Sequence, residues 1–295
     1  MKEIDNDSEV LKLKDGRELG FIEVGDKKGM PFFYFHGFPG SRLEGKLGDK
    51  IVVKNSIHLI CSDRPGVGLS DFQKNRTLLD WPDDMVELAD HLGLEKFGVI
   101  GVSGGGPYAA ACAYKIPDRL INCTIIAGIG PKEARREEMS KGDQIFLGIA
   151  KNFPTLIRFL LWVSTGRISN DLKKLEEKIT KDAENLPEPD KLIMLEPDIL
   201  HLFAIETKEA FRQGSKGLAY EAKLYAQSWN FQLEDIPATL KVNLWHGGLD
   251  QNVPIETGQY ISNRIPNCHA TFHPEEGHLS IIFNHQDEIF SIIKS

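Results

Sequence analysis

The sequence predicts an α/β protein with a mostly parallel sheet of about eight strands, helices on both faces and a helical insertion. Short apolar runs alternate with helical periodicity in residues 1–130 and again in residues 237–295. Strands that alternate with helices form parallel sheets covered on both faces. Between residues 131 and 236 the pattern is helical and more charged. We therefore expect a core domain of residues 1–130 and 237–295 and a helical insertion of residues 131–236.

Apolar runs bounded by turn residues predict the strands of this sheet. The runs lie at residues 10–13, 19–24, 31–35, 57–61, 97–102, 120–127, 242–245 and 270–272. Apolar residues at helical spacing predict helices at residues 78–92, 107–113, 211–225, 255–264 and 279–293. The densely charged run 173–185 predicts a solvated helix face within the insertion.

Ser103 lies where the predicted strand 97–102 turns into the predicted helix 107–113. Gly101 and Gly105 flank it with the spacing G-x-S-x-G. In such a turn the strand and the helix pack so closely that side chains two residues from the serine would clash. The turn exposes the hydroxyl, and the helix N-terminus offers N–H groups to a developing negative charge. The pattern predicts a nucleophilic serine.

Asp250 and His278 each follow a predicted strand, as Ser103 does. Sites in open parallel sheets gather outside the carboxyl ends of the strands. A serine becomes nucleophilic when an imidazole takes its proton, and a carboxylate fixes the tautomer of that imidazole. We therefore expect a catalytic triad of Ser103, Asp250 and His278. Glu275 and Glu276 adjoin His278 in sequence and fit better as solvated loop acids.

Acyl transfer also needs two N–H donors at the place where the oxyanion forms. We assign one donor to the backbone of Gly104, directly after the serine. The other is assigned to the backbone of Phe38, in the loop 36–40 that follows the third predicted strand. Because the backbone supplies both donors, the side chain of Phe38 need not take part.

Two further patterns do not predict ligand sites. Residues 40–46 fit G-x-x-x-x-G-K, but Leu47 stands where a phosphate loop needs serine or threonine. His269 and His273 flank a predicted strand, in which four residues span roughly 13 Å, too far to share one zinc ion. We therefore expect neither a metal nor an organic cofactor.

The composition is ordinary for a globular protein and opposes nucleic-acid and membrane partners, and the expected triad predicts a small-molecule substrate. The net charge of −8, from 43 acidic and 35 basic residues, opposes nucleic-acid binding. The most apolar long stretch, 145–163, contains Lys151 and Arg158 and is a poor membrane span. The first ten residues are polar and acidic, unlike a signal peptide. Four scattered cysteines without a C-x-x-C pair predict free thiols in a reducing compartment, so we expect a cytoplasmic protein.

These motifs resemble the α/β-hydrolase superfamily, in particular its cap-bearing serine hydrolases such as esterases and lipases. The resemblance rests on residues 36–40, 63–68 and 101–105, together with Asp250 and His278. The chain order serine, aspartate, histidine is that of an α/β-hydrolase triad. The resemblance implies hydrolysis of a small or medium carboxylic ester through an acyl-enzyme. Epoxide and haloalkane hydrolases carry an aspartate at the position of the serine, so their chemistry is not expected here.

The same triad also serves carbon–carbon bond hydrolases, amide hydrolases and acyltransferases, and the sequence does not separate them. Outside catalysis, the alternative is a ligand receptor that keeps the fold and turns over slowly.

The start of the insertion adds an expectation about the substrate. Phe146, Phe153, Phe159 and Trp162 belong to an apolar surface that is too large to leave exposed. We expect part of this surface to pack on the sheet domain and the rest to line an apolar acyl pocket.

Overall fold

The computed structural model describes residues 7–134 and 141–294, which form an eight-stranded sheet in the order β1-β2-β4-β3-β5-β6-β7-β8. The strands are β1 Ser8–Lys12, β2 Glu18–Gly25, β3 Met30–Phe35, β4 Ile57–Ser62, β5 Phe97–Val102, β6 Leu120–Ile126, β7 Val242–Gly247 and β8 Cys268–His273. The pairs β1–β2 and β2–β4 are antiparallel, and the other five pairs are parallel. The predicted α/β class with a mostly parallel sheet is confirmed.

Helices cover both faces of this sheet. They are α1 Asp49–Lys54, α2 Trp81–His91, α3 Gly106–Lys115, α4 Lys141–Asn152, α5 Pro154–Ser164, α6 Leu172–Ala183, α7 Glu188–Met194, α8 Pro197–Ala210, α9 Lys216–Tyr225, α10 Ile255–Ser262, α11 Ser280–Phe283 and α12 Gln286–Ile293. Helices α4 to α9 lie between β6 and β7, in the segment 131–236, which we call the helical insertion. The charged run 173–185 falls largely on α6, and most of its side chains face solvent, as predicted.

Two predicted helices are interrupted. The pattern 211–225 predicted one helix, but α9 begins only at Lys216, because Gly214 adopts a left-handed φ of 78° after the end of α8. The pattern 279–293 is divided into α11 and α12. Both pieces bury apolar side chains in the same cluster, Ile281 from α11 and Ile289 from α12. A shared buried face preserves helical spacing across a break, so periodicity alone did not reveal the break.

The sheet carries an apolar core on each face. One core packs Phe33 of β3 with Trp81 of α2, and the other packs Phe32 of β3 with Val52 and with Ile289 of α12. Phe32 and Phe33 enter opposite cores because successive side chains of a strand point to opposite faces. Burial of each such side chain contributes roughly 1.5–3 kcal/mol. These two cores hold the strand ends that carry the candidate site.

Within the described part of the chain, no helix combines the length and the apolar character needed to cross a membrane. The four cysteines are free thiols, as predicted, and three of them are buried.

The carboxyl ends of the parallel strands meet at one edge of the sheet. The loop after β3 contains Phe38, the turn after β5 contains Ser103, and the loop after β7 contains Asp250. The loop after β8 contains His278. The helical insertion leaves the chain after β6 and returns at β7, so it begins at this same edge.

Candidate active site

Ser103 lies on a sharp turn between β5 and α3 and adopts a left-handed φ of 50°. A Cβ on Gly101 would collide with the carbonyl oxygen of Gly105, and a Cβ on Gly105 would collide with the carbonyl oxygen of Phe35. Both flanking positions therefore require glycine, as the sequence pattern predicted. A left-handed backbone costs a non-glycine residue about 1–2 kcal/mol, which the surrounding packing must offset.

Asp250 and His278, 28 residues apart in sequence, are joined by a hydrogen bond of 2.7 Å between Asp250 Oδ2 and His278 Nδ1. The other oxygen of Asp250 accepts the backbone N–H groups of Asn252 and Val253, at 2.9 and 2.8 Å. The two local bonds fix the carboxylate in its loop. His278 therefore meets an acceptor that is already oriented.

The pair shifts the titration of both partners. Burial alone would lower the pKa of His278, but the adjacent Asp250 carboxylate outweighs burial and raises that pKa above its ordinary value. Burial alone would raise the pKa of Asp250, but His278 and the local hydrogen bonds hold that pKa below its ordinary value. An ionised Asp250 facing Nδ1 keeps the proton of neutral His278 on that nitrogen. Nε2 is then the nitrogen free to accept a proton.

The backbone N–H of Phe38 lies beside Gly104, as the oxyanion-hole prediction requires. An ideal Cβ on Gly104 would sit 3.2 Å from the nitrogen of Phe38 and 2.8 Å from Oη of Tyr225. Tyr225 donates to the carbonyl of Gly104 at 3.0 Å. On the other side of the loop, an ideal Cβ on Gly37 would sit 3.8 Å from Cβ of Ser103. The two predicted donor residues and Ser103 therefore lie close together.

Ser103 and His278 line one cavity of about 680 Å³. Phe38, Tyr225 and residues of the insertion, including Phe203 of α8, also line it. Most other lining side chains are apolar, contributed by the strand ends and by α4, α6, α8 and α12. A largely apolar cavity with a few convergent polar groups is the usual form of a small-molecule site.

Two buried carboxyl groups that the sequence did not single out also line this cavity, Glu44 of the core and Glu206 of α8. Glu44 accepts the hydroxyl of Tyr34 at 2.6 Å and the backbone N–H of Gly37 at 2.7 Å. Glu206 accepts the backbone N–H of Ser41 at 3.3 Å. Burial and the neighbouring Glu44 raise the pKa of Glu206 well above its ordinary value. Burial and the charge of Glu44 thus both favour the protonated form of Glu206.

The insertion also binds the backbone that carries His278. Asp190 of α7 is buried and accepts three consecutive backbone N–H groups. These are the N–H groups of His278, Leu279 and Ser280, at 2.7, 2.9 and 2.9 Å. The contact spans 88 residues of sequence, and no local pattern around Asp190 indicates it.

The apolar surface at the start of the insertion does not behave as predicted. Phe146 is half-buried and lines the cavity. By contrast Phe153, Phe159 and Trp162 expose 61%, 56% and 50% of their surfaces and do not line the cavity. The expectation that this surface is too large to leave exposed is wrong. Helix α5 buries its opposite side, with Ile157 and Leu161, and a helix of this length can bury only one stripe.

One group of side chains in the described residues could hold a metal ion, and it differs from the dismissed pair His269 and His273. The ligand atoms of His273, His285 and Glu288 lie within 4.8 Å of one another. His285 already pairs with Glu276 at 3.1 Å and with Glu288 at 3.2 Å. Its ring lies against that of His273, with centroids 3.7 Å apart and the planes tilted by 34°. Hydrogen bonds and this ring contact explain why the side chains cluster.

Comparison with known proteins agrees with this architecture. A family model described as the alpha/beta hydrolase fold matches residues 31–160. The solved structure of an esterase from Exiguobacterium antarcticum superposes with a TM-score of 0.68 and 19% identity, covering 97% of this chain and 99% of the esterase. At this identity the superposition shows the shared fold alone.

Curated sequences match over shorter segments. An uncharacterised hydrolase, YcgS of Bacillus subtilis, is 29% identical over 115 residues, which are 39% of this chain and 39% of that protein. A proline iminopeptidase of Clostridium botulinum is 34% identical over 138 residues, 43% of this chain and 46% of that protein. The chain thus spans less than half the length of these curated relatives.

Proposed function

We propose that this chain, which belongs to the α/β-hydrolase superfamily, is a serine hydrolase that cleaves a small or medium carboxylic ester through an acyl-enzyme. The observation that carries the proposal is the 2.7 Å hydrogen bond between Asp250 and His278, with His278 and Ser103 lining the same cavity. Ser103, Asp250 and His278 are the proposed triad, and Phe38 and Gly104 are the proposed backbone donors of the oxyanion hole.

In the proposed mechanism, Nε2 of His278 takes the hydroxyl proton of Ser103 while the serine oxygen attacks the ester carbonyl carbon. The negative charge that forms on the carbonyl oxygen is stabilised by the N–H groups of Phe38 and Gly104. Asp250 stabilises the imidazolium. His278 then gives its proton to the departing alcohol, and a water attacks the acyl-enzyme by the same route. No step requires a metal or an organic cofactor.

The test joins covalent labelling to turnover of short p-nitrophenyl esters. A fluorophosphonate should label Ser103 in the folded protein, because only an activated hydroxyl reacts readily. Ser103→Ala and His278→Ala should each lower kcat by on the order of 10⁶-fold, and the double variant should lose little more. Unlabelled protein, a label on another residue, or near-normal turnover by His278→Ala would each contradict the assignment.

The carbon–carbon, amide and acyl-transfer alternatives use the same proposed triad. The name of the proline iminopeptidase relative points to peptide bonds, but the match covers less than half of either chain. Parallel kcat/KM measurements on esters, matched amides and esters with an added alcohol acceptor separate these reactions. Turnover of none of them, together with ligand-induced shifts in Tm, would favour the receptor alternative.

We further propose that residues 131–236 act as a cap that supplies one wall of the substrate cavity, while residues 1–130 and 237–295 form the core domain. The residues of α4, α6 and α8 that line the cavity support this role of the insertion. The apolar wall favours an apolar acyl group, because a cavity of this kind binds by excluding water from apolar surface.

A further inference from the structure

The proposed oxyanion donor Phe38 N–H belongs to the same planar peptide as the carbonyl of Gly37. In a trans peptide the N–H and the C=O point in opposite directions, so an atom that binds the carbonyl also orients the N–H. Nη2 of Arg64 donates to the carbonyl of Gly37 at 2.7 Å, and Nη1 donates to the carbonyl of His36 at 2.6 Å. Nδ1 of His36 also lies 2.9 Å from the carbonyl oxygen of Gly37. A buried guanidinium therefore binds the carbonyl groups of this loop, on the side opposite the Phe38 N–H.

The second proposed donor is held in a different way. The N–H of Gly104 shares its peptide with the carbonyl of Ser103, which accepts the backbone N–H of Ile129 at 3.0 Å. That is an ordinary neutral hydrogen bond. A charge-assisted bond is roughly twice as strong, and a cation on a carbonyl polarises its peptide so that the N–H becomes a better donor. The two donors thus differ in their support, and only one is backed by a cation.

Arg64 is kept charged and in place by the insertion. Its side chain is fully buried, and Nε pairs with Glu221 of α9, which is also fully buried. Burial alone would lower the pKa of Arg64, but Glu221 outweighs burial and raises it. Tyr108 donates to the same Glu221 oxygen at 3.1 Å, and Tyr225 lies 3.2 Å from that oxygen. The carboxylate thus has neighbours on several sides, and this limits the movement of the ion pair.

We infer that Arg64, supported by Glu221, is a positioning residue that orients and polarises the Phe38 N–H for the oxyanion. The inference rests on the proposed function. Among the described residues the N–H of Phe38 has no protein acceptor, so it is available to substrate. The ion pair acts on the transition state through this peptide, because negative charge develops on the carbonyl oxygen there and is absent from the bound ester. Its loss should therefore lower kcat and leave KM nearly unchanged.

The experiment compares an ester with its thionoester, in which sulfur replaces the carbonyl oxygen. Sulfur accepts hydrogen bonds weakly, so the ratio of the two kcat values reports the strength of the oxyanion hole. Arg64→Met with Glu221→Gln removes both charges of this ion pair, so neither partner is left charged without the other. We expect kcat for the ester to fall about 10–100-fold, less than the loss of a whole donor, and the ester-to-thionoester ratio to fall about ten-fold. KM should change less than about three-fold.

The matched control is Arg17→Met with Asp84→Asn, which removes a bidentate ion pair of 2.9 and 2.6 Å whose partners are away from the 36–40 loop. It should keep the wild-type ratio even if Tm falls. If the Arg64→Met double variant does not fold, Arg64→Lys keeps a charge opposite Glu221 but loses the planar fork, and it should lower the ratio in the same direction. An unchanged ratio in a folded Arg64 variant would overturn the inference alone. A wild-type protein that turns over neither ester would overturn the proposed function, and this inference with it.

Discussion

At the scale of single residues, His278 connects the structure most directly to a measurable rate. Its pKa lies above the ordinary value, because the Asp250 carboxylate outweighs the opposite effect of burial. A general base works only when it is unprotonated, so activity must fall as pH drops through this pKa. The hydrogen bond that orients the imidazole therefore also sets where activity is lost.

We predict that kcat/KM rises with pH through a midpoint above the unperturbed histidine value of about 6.5. Asp250→Asn removes the charge that raises the pKa, so its midpoint should move to lower pH while its maximal rate falls. The measurement is kcat/KM for one short ester from pH 5 to 9 in both proteins. A flat wild-type profile, or the same midpoint in both proteins, would show that His278 is not the titrating base.

At the scale of elements, α8 joins the core through Glu206, which accepts the backbone N–H of Ser41 and lies beside the carboxyl group of Glu44. The pKa of Glu206 is raised in the folded state. The folded protein therefore keeps a proton on Glu206 that the unfolded chain releases above about pH 4.3. Stability from this group is thus fully present at low pH and is lost as pH rises through the folded pKa. A non-titrating residue at this position would escape that loss.

We predict that Glu206→Gln is close to wild type in unfolding free energy near pH 4 and more stable than wild type near pH 8. The amide keeps the size and the hydrogen-bonding capacity of the protonated acid. Urea unfolding at pH 4, 6 and 8 measures the difference, and the exposed Glu184→Gln should follow wild type throughout. If the unfolding free energies of Glu206→Gln and wild type differ by the same amount at all three pH values, a raised pKa at this position is ruled out.

Two phenylalanines near the junction of α4 and α5 differ in whether they line the cavity. Phe146 lines the cavity, whereas Phe153 is 61% exposed and lies outside it. We predict that Phe146→Ala shifts the kcat/KM ratio of eight-carbon to two-carbon esters about ten-fold toward the longer chain. Phe153→Ala should keep the wild-type ratio. If the two variants behave alike, Phe146 does not contact the acyl chain.

At the scale of the whole molecule, the insertion is attached to the core at the site itself. Asp190 accepts the backbone of residues 278–280, and Glu209 of α8 pairs with the buried Arg42 at 2.6 Å. Glu206 and Glu221 make the contacts described above. We call Asp190, Glu206, Glu209 and Glu221 the four insertion acids. Attachment at four points beside the site favours cooperative unfolding of core and insertion.

We predict that Asp190→Ala lowers the unfolding free energy by about 1–3 kcal/mol, because buried N–H groups lose their acceptor. It should also lower kcat, since the backbone of His278 is no longer held. Calorimetry should show one transition in wild type and variant, and the exposed Asp198→Ala should match wild type. A separate early transition of the insertion in the wild-type protein, or unchanged stability in Asp190→Ala, would show that this attachment does not couple the insertion to the core.

How far the sequence predicted the molecule depends on the range of each interaction. The turn at Ser103 needs only Gly101, Gly105 and the elements on either side, so a local pattern revealed it. Asp250 and His278 were predicted because parallel strands bring their ends together. Arg64 and Glu221 lie 157 residues apart, and their bond depends on how α9 packs on the core. Burial of a charged pair at that distance has no local pattern, so the sequence did not reveal it.

The four insertion acids have a consequence for protein engineering. Asp190, Glu206 and Glu221 each meet a core group that belongs to, or adjoins, the proposed catalytic loops, and Glu209 pairs with the buried Arg42, so the insertion is attached to the core beside the cavity that it lines. A chimaera that receives the insertion of another protein with this fold would bring new specificity but lose these attachments. Chimaeras whose new insertion has carboxylates at the four positions should remain active. Excision of residues 131–236 would instead remove the partners that the insertion supplies to Arg64 and Arg42.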